Sequence, residues 1–183
     1  MGTLIPGCEK GEPTCGRGAG RAWNLGSISS ACYGEKHAVG VLHSGRISEL
    51  ESELKLLGQL KEMGLPVVNA RGPIMVGDRP ALVYDRFEAG TKDAVRMVDG
   101  HATVVGDLSL LNKRSISDLI LIRGKIEGAK LHISDLQFLV GKDGGIVISD
   151  PLRLAVGDVG YRKNIKMIYY LVKLAEGNRG FND

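Results

Sequence analysis

The clearest pattern in the chain is helical. Ile47, Leu50, Leu54, Leu57 and Leu60 recur at steps of three and four, with Glu49, Glu51, Glu53, Lys55 and Lys61 between them. That spacing predicts an amphipathic helix, and Gly64 and Pro66 end it. Before it, residues 23–33 read as strand, small-residue turn, strand, and residues 36–42 as a further short apolar strand after the Gly34-Glu35 turn. After it, strands are predicted near 73–76 and 81–84, joined at Gly77-Asp78 as a hairpin.

The second half opens on 89–113, which has no apolar period. A helix is predicted from near Ser115 to about Lys130, carrying Ile116, Leu119, Ile120, Ile122 and Ile126. Residues 136–140 and 145–149 flank Lys142-Asp143-Gly144, a strong hairpin signal. A last helix is predicted over 161–175, its apolar side including Ile165, Ile168, Tyr169 and Val172. The order is β-β-β-α-β-β, a link, then mostly helix with one small hairpin. It predicts an α+β fold: a single domain over 22–183 with two lobes, about 22–88 and about 89–183, and a cleft between them.

Composition narrows the function classes. The 183 residues are long enough for one domain with a sizeable core, and a net charge of +3 is too mild to point to nucleic acid. No apolar run approaches the ~18 residues of a membrane span. Residues 1–21, rich in Gly, Pro, Thr and Arg, read as a flexible tail, either incidental or a secretion signal. Pro6 stands where a myristoylation signal has Ser or Thr, and the long apolar stretch of a secretory signal peptide is missing. Cys8, Cys15 and Cys32 make neither a disulfide framework nor a zinc site, which fits a reducing cytosol.

Candidate chemistry comes from order and spacing. Gly26, Ser27, Ser29 and Ser30 lie in a small-residue turn between strands, where backbone N–H groups and hydroxyls suit phosphate. This segment departs from G-x-G-x-x-G, with Ile28 and Ala31 where further glycines stand. Glu53 lies at the rim of the helix's apolar face, where a carboxylate reaches into a cleft. An apolar strand then runs into Tyr84-Asp85-Arg86-Phe87-Glu88. Finally, His132-Ile133-Ser134-Asp135-Leu136-Gln137 precedes Phe138-Leu139-Val140, and Asp150-Pro151 lies thirteen positions after Gln137.

Taken in order, these pieces resemble a protein-kinase fold near its minimum size, and specifically the HopBF family of bacterial type III effector protein kinases. The resemblance spans 23–175 and implies an ATP- and Mg²⁺-dependent phosphotransferase, a protein serine/threonine kinase, secreted from the bacterial cytoplasm into the host cytosol. There the family's target is the eukaryotic ninety-kilodalton heat-shock chaperone, bound by imitating a client. It implies Asp135 as the base or orienter of the accepting hydroxyl and Asp150 as catalytic metal ligand, with Gln137 as a second metal ligand. It implies nucleotide contacts from Gly26, Ser27, Ser29, Ser30, Lys36 and Glu53, and from the backbone near Asp85 and Phe87. The strand lysine of ordinary kinases is absent, Gly40 holding its slot; Lys36, Arg21 and Arg46 are candidates to supply the charge. His132 stands where the usual catalytic aspartate would be and is read as packing for the loop. The alternatives are a small-molecule phosphotransferase, an AMP-transferring kinase fold, and a catalytically silent pseudokinase that only binds a partner.

Overall fold

The computed structural model describes residues 24–25, 28–33, 37–42, 46–76, 79–85, 87, 89–90, 95–98, 101–104, 109–149, 151–157 and 160–177. For 24–42, 76 and 89–104 the description is of the backbone alone. The chain parts into two compact units, one of residues 1–55 with 69–86 and the other of 56–68 with 87–183.

Among its described residues the first unit is a five-stranded antiparallel sheet and part of a helix. Strands β1 (Asn24–Leu25), β2 (Ile28–Tyr33), β3 (His37–Leu42), β4 (Ala70–Val76) and β5 (Arg79–Asp85) lie in the order β1-β2-β3-β5-β4. Gly40 sits mid-strand, paired with Ser30 on one side and Leu82 on the other. Helix α1 (Ile47–Glu62) follows β3, and the division between units falls within it. Its Leu50 and the Leu82 of β5 are fully buried together, with Leu54 and Tyr84 packed against them. Ile47, placed on the apolar stripe by its spacing, is 44% exposed, because it opens the helix and the face it shares is covered only from Leu50 onward.

The end of α1 shows why Gly64 stops it. The Leu65 N–H bonds the Leu60 carbonyl at 3.0 Å and the Gly64 N–H bonds the Lys61 carbonyl at 2.9 Å. This is a Schellman closure, and it requires a left-handed residue, supplied by Gly64 at φ +75°. It turns Leu65 into the core of the second unit, where it is 3% exposed.

The second unit contains α2 (Lys113–Gly128), α3 (Tyr161–Gly177) and short strand pairs. Strands β10 (Gln137–Val140) and β11 (Ile146–Ser149) form the predicted hairpin, and β6 (Ala89–Gly90) adds to β10. On the far side of β11 the chain at Pro66–Val68 runs parallel to it: the Val68 N–H bonds Ile148 O and the Ile148 N–H bonds Pro66 O, both at 2.9 Å. Strand β9 (Leu131–Ser134) pairs antiparallel with β12 (Arg153–Val156). Strands β7 (Val95–Val98) and β8 (His101–Val104) form a separate ladder in the stretch read from sequence as unpatterned. The core joins Leu119, Ile122 and Ile126 of α2, Ile168 and Leu171 of α3, Ile133 of β9 and Phe138 of β10.

Two helix faces differ from those expected. Ile120 and Tyr169, read as apolar-face residues, are each 50% exposed. At about 100° per residue Ile120 is turned about 100° from Leu119 and about 160° from Ile122, and Tyr169 is turned away from the Asn164, Ile168, Leu171 and Ala175 face that α3 buries. The second half is also richer in strands than the mostly helical lobe expected, since β6, β7, β8, β9 and β12 were not foreseen.

Candidate active site

The turn between β9 and β10 brings together two of the predicted site residues. Strand β9 is bracketed by Lys130 (φ +49°) and Asp135 (φ +55°), both in the left-handed region. Aspartate tolerates that region better than most side chains. The bend at Asp135 lets the chain leave β9 and enter β10, and the Gln137 Nε2 donates to Asp135 Oδ2 at 2.8 Å. Gln137 is only 4% exposed while Asp135 is exposed, so the carboxylate stands at the surface on a buried amide support. The amide nitrogen donates to Asp135, and the amide oxygen is the atom of Gln137 that could hold a cation. An amide oxygen is a hard donor of the kind Mg²⁺ takes.

Strand register carries the site toward Asp150. Gln137 pairs with Ser149, the last residue of β11, and β11 is held on both edges, by β10 and by the Pro66–Val68 segment. Asp150 is next in sequence and lies outside the described residues. Gly26, Ser27 and Lys36 also lie outside them, and Ser29 and Ser30 are described only as backbone of β2. Among the described residues, no group of three or more His, Cys, Asp and Glu side chains is arranged to hold a metal.

The support beneath this turn was missed in the sequence. Asn164 of α3 is 5% exposed; its Oδ1 accepts from the Ile133 N–H and its Nδ2 donates to the Ile133 carbonyl, both at 2.9 Å. In an antiparallel ladder alternate residues turn their N–H and C=O away from the partner strand. The Gly157 N–H to Lys130 O bond sets the parity of β9 with β12, and by that parity Ile133 is such a residue. One carboxamide satisfies both groups. The available signal was a polar residue on a buried helix stripe, in register with Ile168, Leu171 and Ala175. His132 is half-buried in β9, not at a helix end, and its ring lies where a Cβ on Gly160 would stand, so Gly160 lets α3 begin beside it.

The other described candidates have local partners of their own. Glu53 accepts a hydrogen bond from the Tyr84 hydroxyl at 2.7 Å, a partner not anticipated when a strand cation was expected there. Arg46, one candidate for that cation, pairs with Glu49 at 2.6 Å. Asp85 is the last residue of β5, not part of a connector: its N–H bonds Asn69 O at 3.1 Å and its carboxylate accepts from Asn69 Nδ2 at 2.8 Å. That N–H is therefore not a donor for a base. Phe87 lines a cavity of about 280 Å³ with Pro66, Val147, Arg114, Asp118 and Asp143. Lys173, held above the usual lysine value by its hydrogen bond to Glu176 and by that residue's charge, lies on the exposed face of α3, outside the site.

Comparison with known proteins decides the family. The model for the type III secretion system effector HopBF1 kinase domain matches residues 27–179. This chain belongs to the HopBF1 kinase family. Among the described residues, its α+β architecture of three helices and small antiparallel sheets is that of a minimal kinase-like domain. A curated relative, the type III effector protein HopBF1 of Pseudomonas syringae pv. syringae (strain FF5), is 29% identical over 99 residues, 54% of this chain. The match spans about half of that relative's length, 48%. Within the HopBF1 family match lie β9, β10, β11 and the Asn164 clamp.

Proposed function

We propose that this HopBF1-type domain is an ATP- and Mg²⁺-dependent protein kinase of a secreted effector, transferring the γ-phosphoryl group to serine or threonine of a host protein. The observation that carries the reading is the Asp135–Gln137 contact, held in register with Ser149 directly before Asp150. Phosphoryl transfer asks mainly for positioning and charge neutralisation. Asp135 orients the accepting hydroxyl and takes its proton; Gln137 fixes that carboxylate and, with Asp150, holds the cation. A bound Mg²⁺ neutralises charge on the transferring phosphate. Gly26, Ser27, Ser29, Ser30 and Lys36 line the phosphates, Glu53 and the backbone near Phe87 complete the nucleotide site, and the kinase-like domain runs over 22–183. The family resemblance makes the eukaryotic ninety-kilodalton heat-shock chaperone the lead target and the host cytosol the place of action.

The test incubates the full chain with Mg²⁺ and γ-labelled ATP in a eukaryotic cytosolic extract, beside Asp135→Asn and Asp150→Ala. The expected result is a dominant labelled band at the chaperone's mass, lost in Asp150→Ala and reduced about a hundredfold or more in Asp135→Asn. Asp135→Asn keeps an oxygen for the Gln137 amide, so its melting temperature stays near that of the parent. Label from α-labelled ATP instead would establish AMP transfer. Silence with both labels would overturn the transferase reading.

A further inference from the structure

Helix α2 buries Ser115, Ile116, Leu119, Ile122 and Ile126, and its other side carries an apolar pair that is half exposed. Ile120 and Leu121 are adjacent and each 50% exposed, and the space around Gly124 is open. At about 100° per residue, Lys113, Ser117, Ile120, Leu121, Gly124 and Glu127 fall on this one stripe. We propose that the stripe binds a second copy of the chain, with the two α2 helices packed antiparallel about a two-fold axis between Ile120 and Leu121.

The sequence of the stripe is self-complementary about that point. Ile120 and Leu121 meet their own copies, and Ser117 faces the second copy's Gly124. With a rise of about 1.5 Å per residue, Lys113 lies about 11 Å on one side of the axis and Glu127 about 10 Å on the other. Both sit to the same side of the stripe's midline, and a two-fold axis across the stripe preserves that side. Each Lys113 therefore meets the second copy's Glu127, twice per dimer. Parallel packing would instead set Lys113 against Lys113 and Glu127 against Glu127. Neither side chain has an ion-pair partner among the described residues of its own chain. One helix pair covers less than the roughly 800 Å² per partner of a standard interface, so the dimer is weak and reversible.

Sedimentation of the full chain at low salt, from about 10 to about 300 μM, reads this as a concentration-dependent dimer. Lys113→Glu or Glu127→Lys alone should weaken it roughly threefold to tenfold, and the combined exchange should restore it to within about a factor of two. Ile120→Lys, on an exposed site, should leave the melting temperature unchanged and the chain monomeric throughout. A parent chain that stays monomeric across the range overturns the proposal. So does a double exchange no tighter than the single variants, or a dimer that survives Ile120→Lys.

Discussion

The turn that carries Asp135 and the turn at 141–145 both sit on β10, one at each end, and both are held by a helix. They are held in different ways. The 141–145 turn is gripped by the first two turns of α2 through many small contacts. Asn112 caps the helix and also donates to Asp143 O at 3.2 Å, Ser115 Oγ donates to Gly144 O at 2.6 Å, and Asp118 accepts from the Ile146 N–H at 2.9 Å. Arg114 pairs with Asp143 as well. Gly144, at φ +78°, lies so close to Asn112 that a Cβ would overlap its carboxamide. The Asp135 turn depends on the register of β9, and among the described residues the side chain that holds Ile133 of β9 is Asn164. Several bonds from one helix, buried and exposed, make a turn tolerant of losing any one; a single buried amide makes its neighbour sensitive.

Three substitutions separate the two turns. Asn164→Ala leaves a buried N–H and a buried carbonyl without partners, and should cost about 3 kcal/mol in urea unfolding, together with most of the phosphotransfer. Ser115→Ala removes the donor to Gly144 O and half of the capping box, at about 1–2 kcal/mol, with catalysis at the parent level. Arg114→Ala removes an exposed ion pair and should fall below about 0.5 kcal/mol in the same titration. Equal losses from Asn164→Ala and Arg114→Ala would erase the distinction between the two turns.

The legible parts of the fold are those written in local pattern. α1, α2 and α3 announce themselves by period, and the β10–β11 hairpin by Lys142-Asp143-Gly144. The pairing of β9 with β12 was hidden because each is four residues long, too short for alternation to register, and β12 buries no residue fully. The β7–β8 ladder was hidden for the same reason, its eight residues mixing Arg96, His101 and Thr103 with the apolar ones. The Asp135–Gln137 pair was readable from spacing two apart, but the Tyr84–Glu53 bond, joining residues thirty-one apart, depends on tertiary placement that no local pattern encodes.

The Asn164 clamp also imposes a direction in time. Ile133 precedes Asn164 by thirty-one positions, so a chain that emerges N-terminus first, from a ribosome or any narrow channel, presents β9 well before the residue that secures it. β12 comes earlier and pairs with β9, but until α3 arrives the outward N–H and carbonyl of Ile133 lack the carboxamide that satisfies them. The strand that leads into the Asp135 turn is thus fully bonded only after the last helix has joined it.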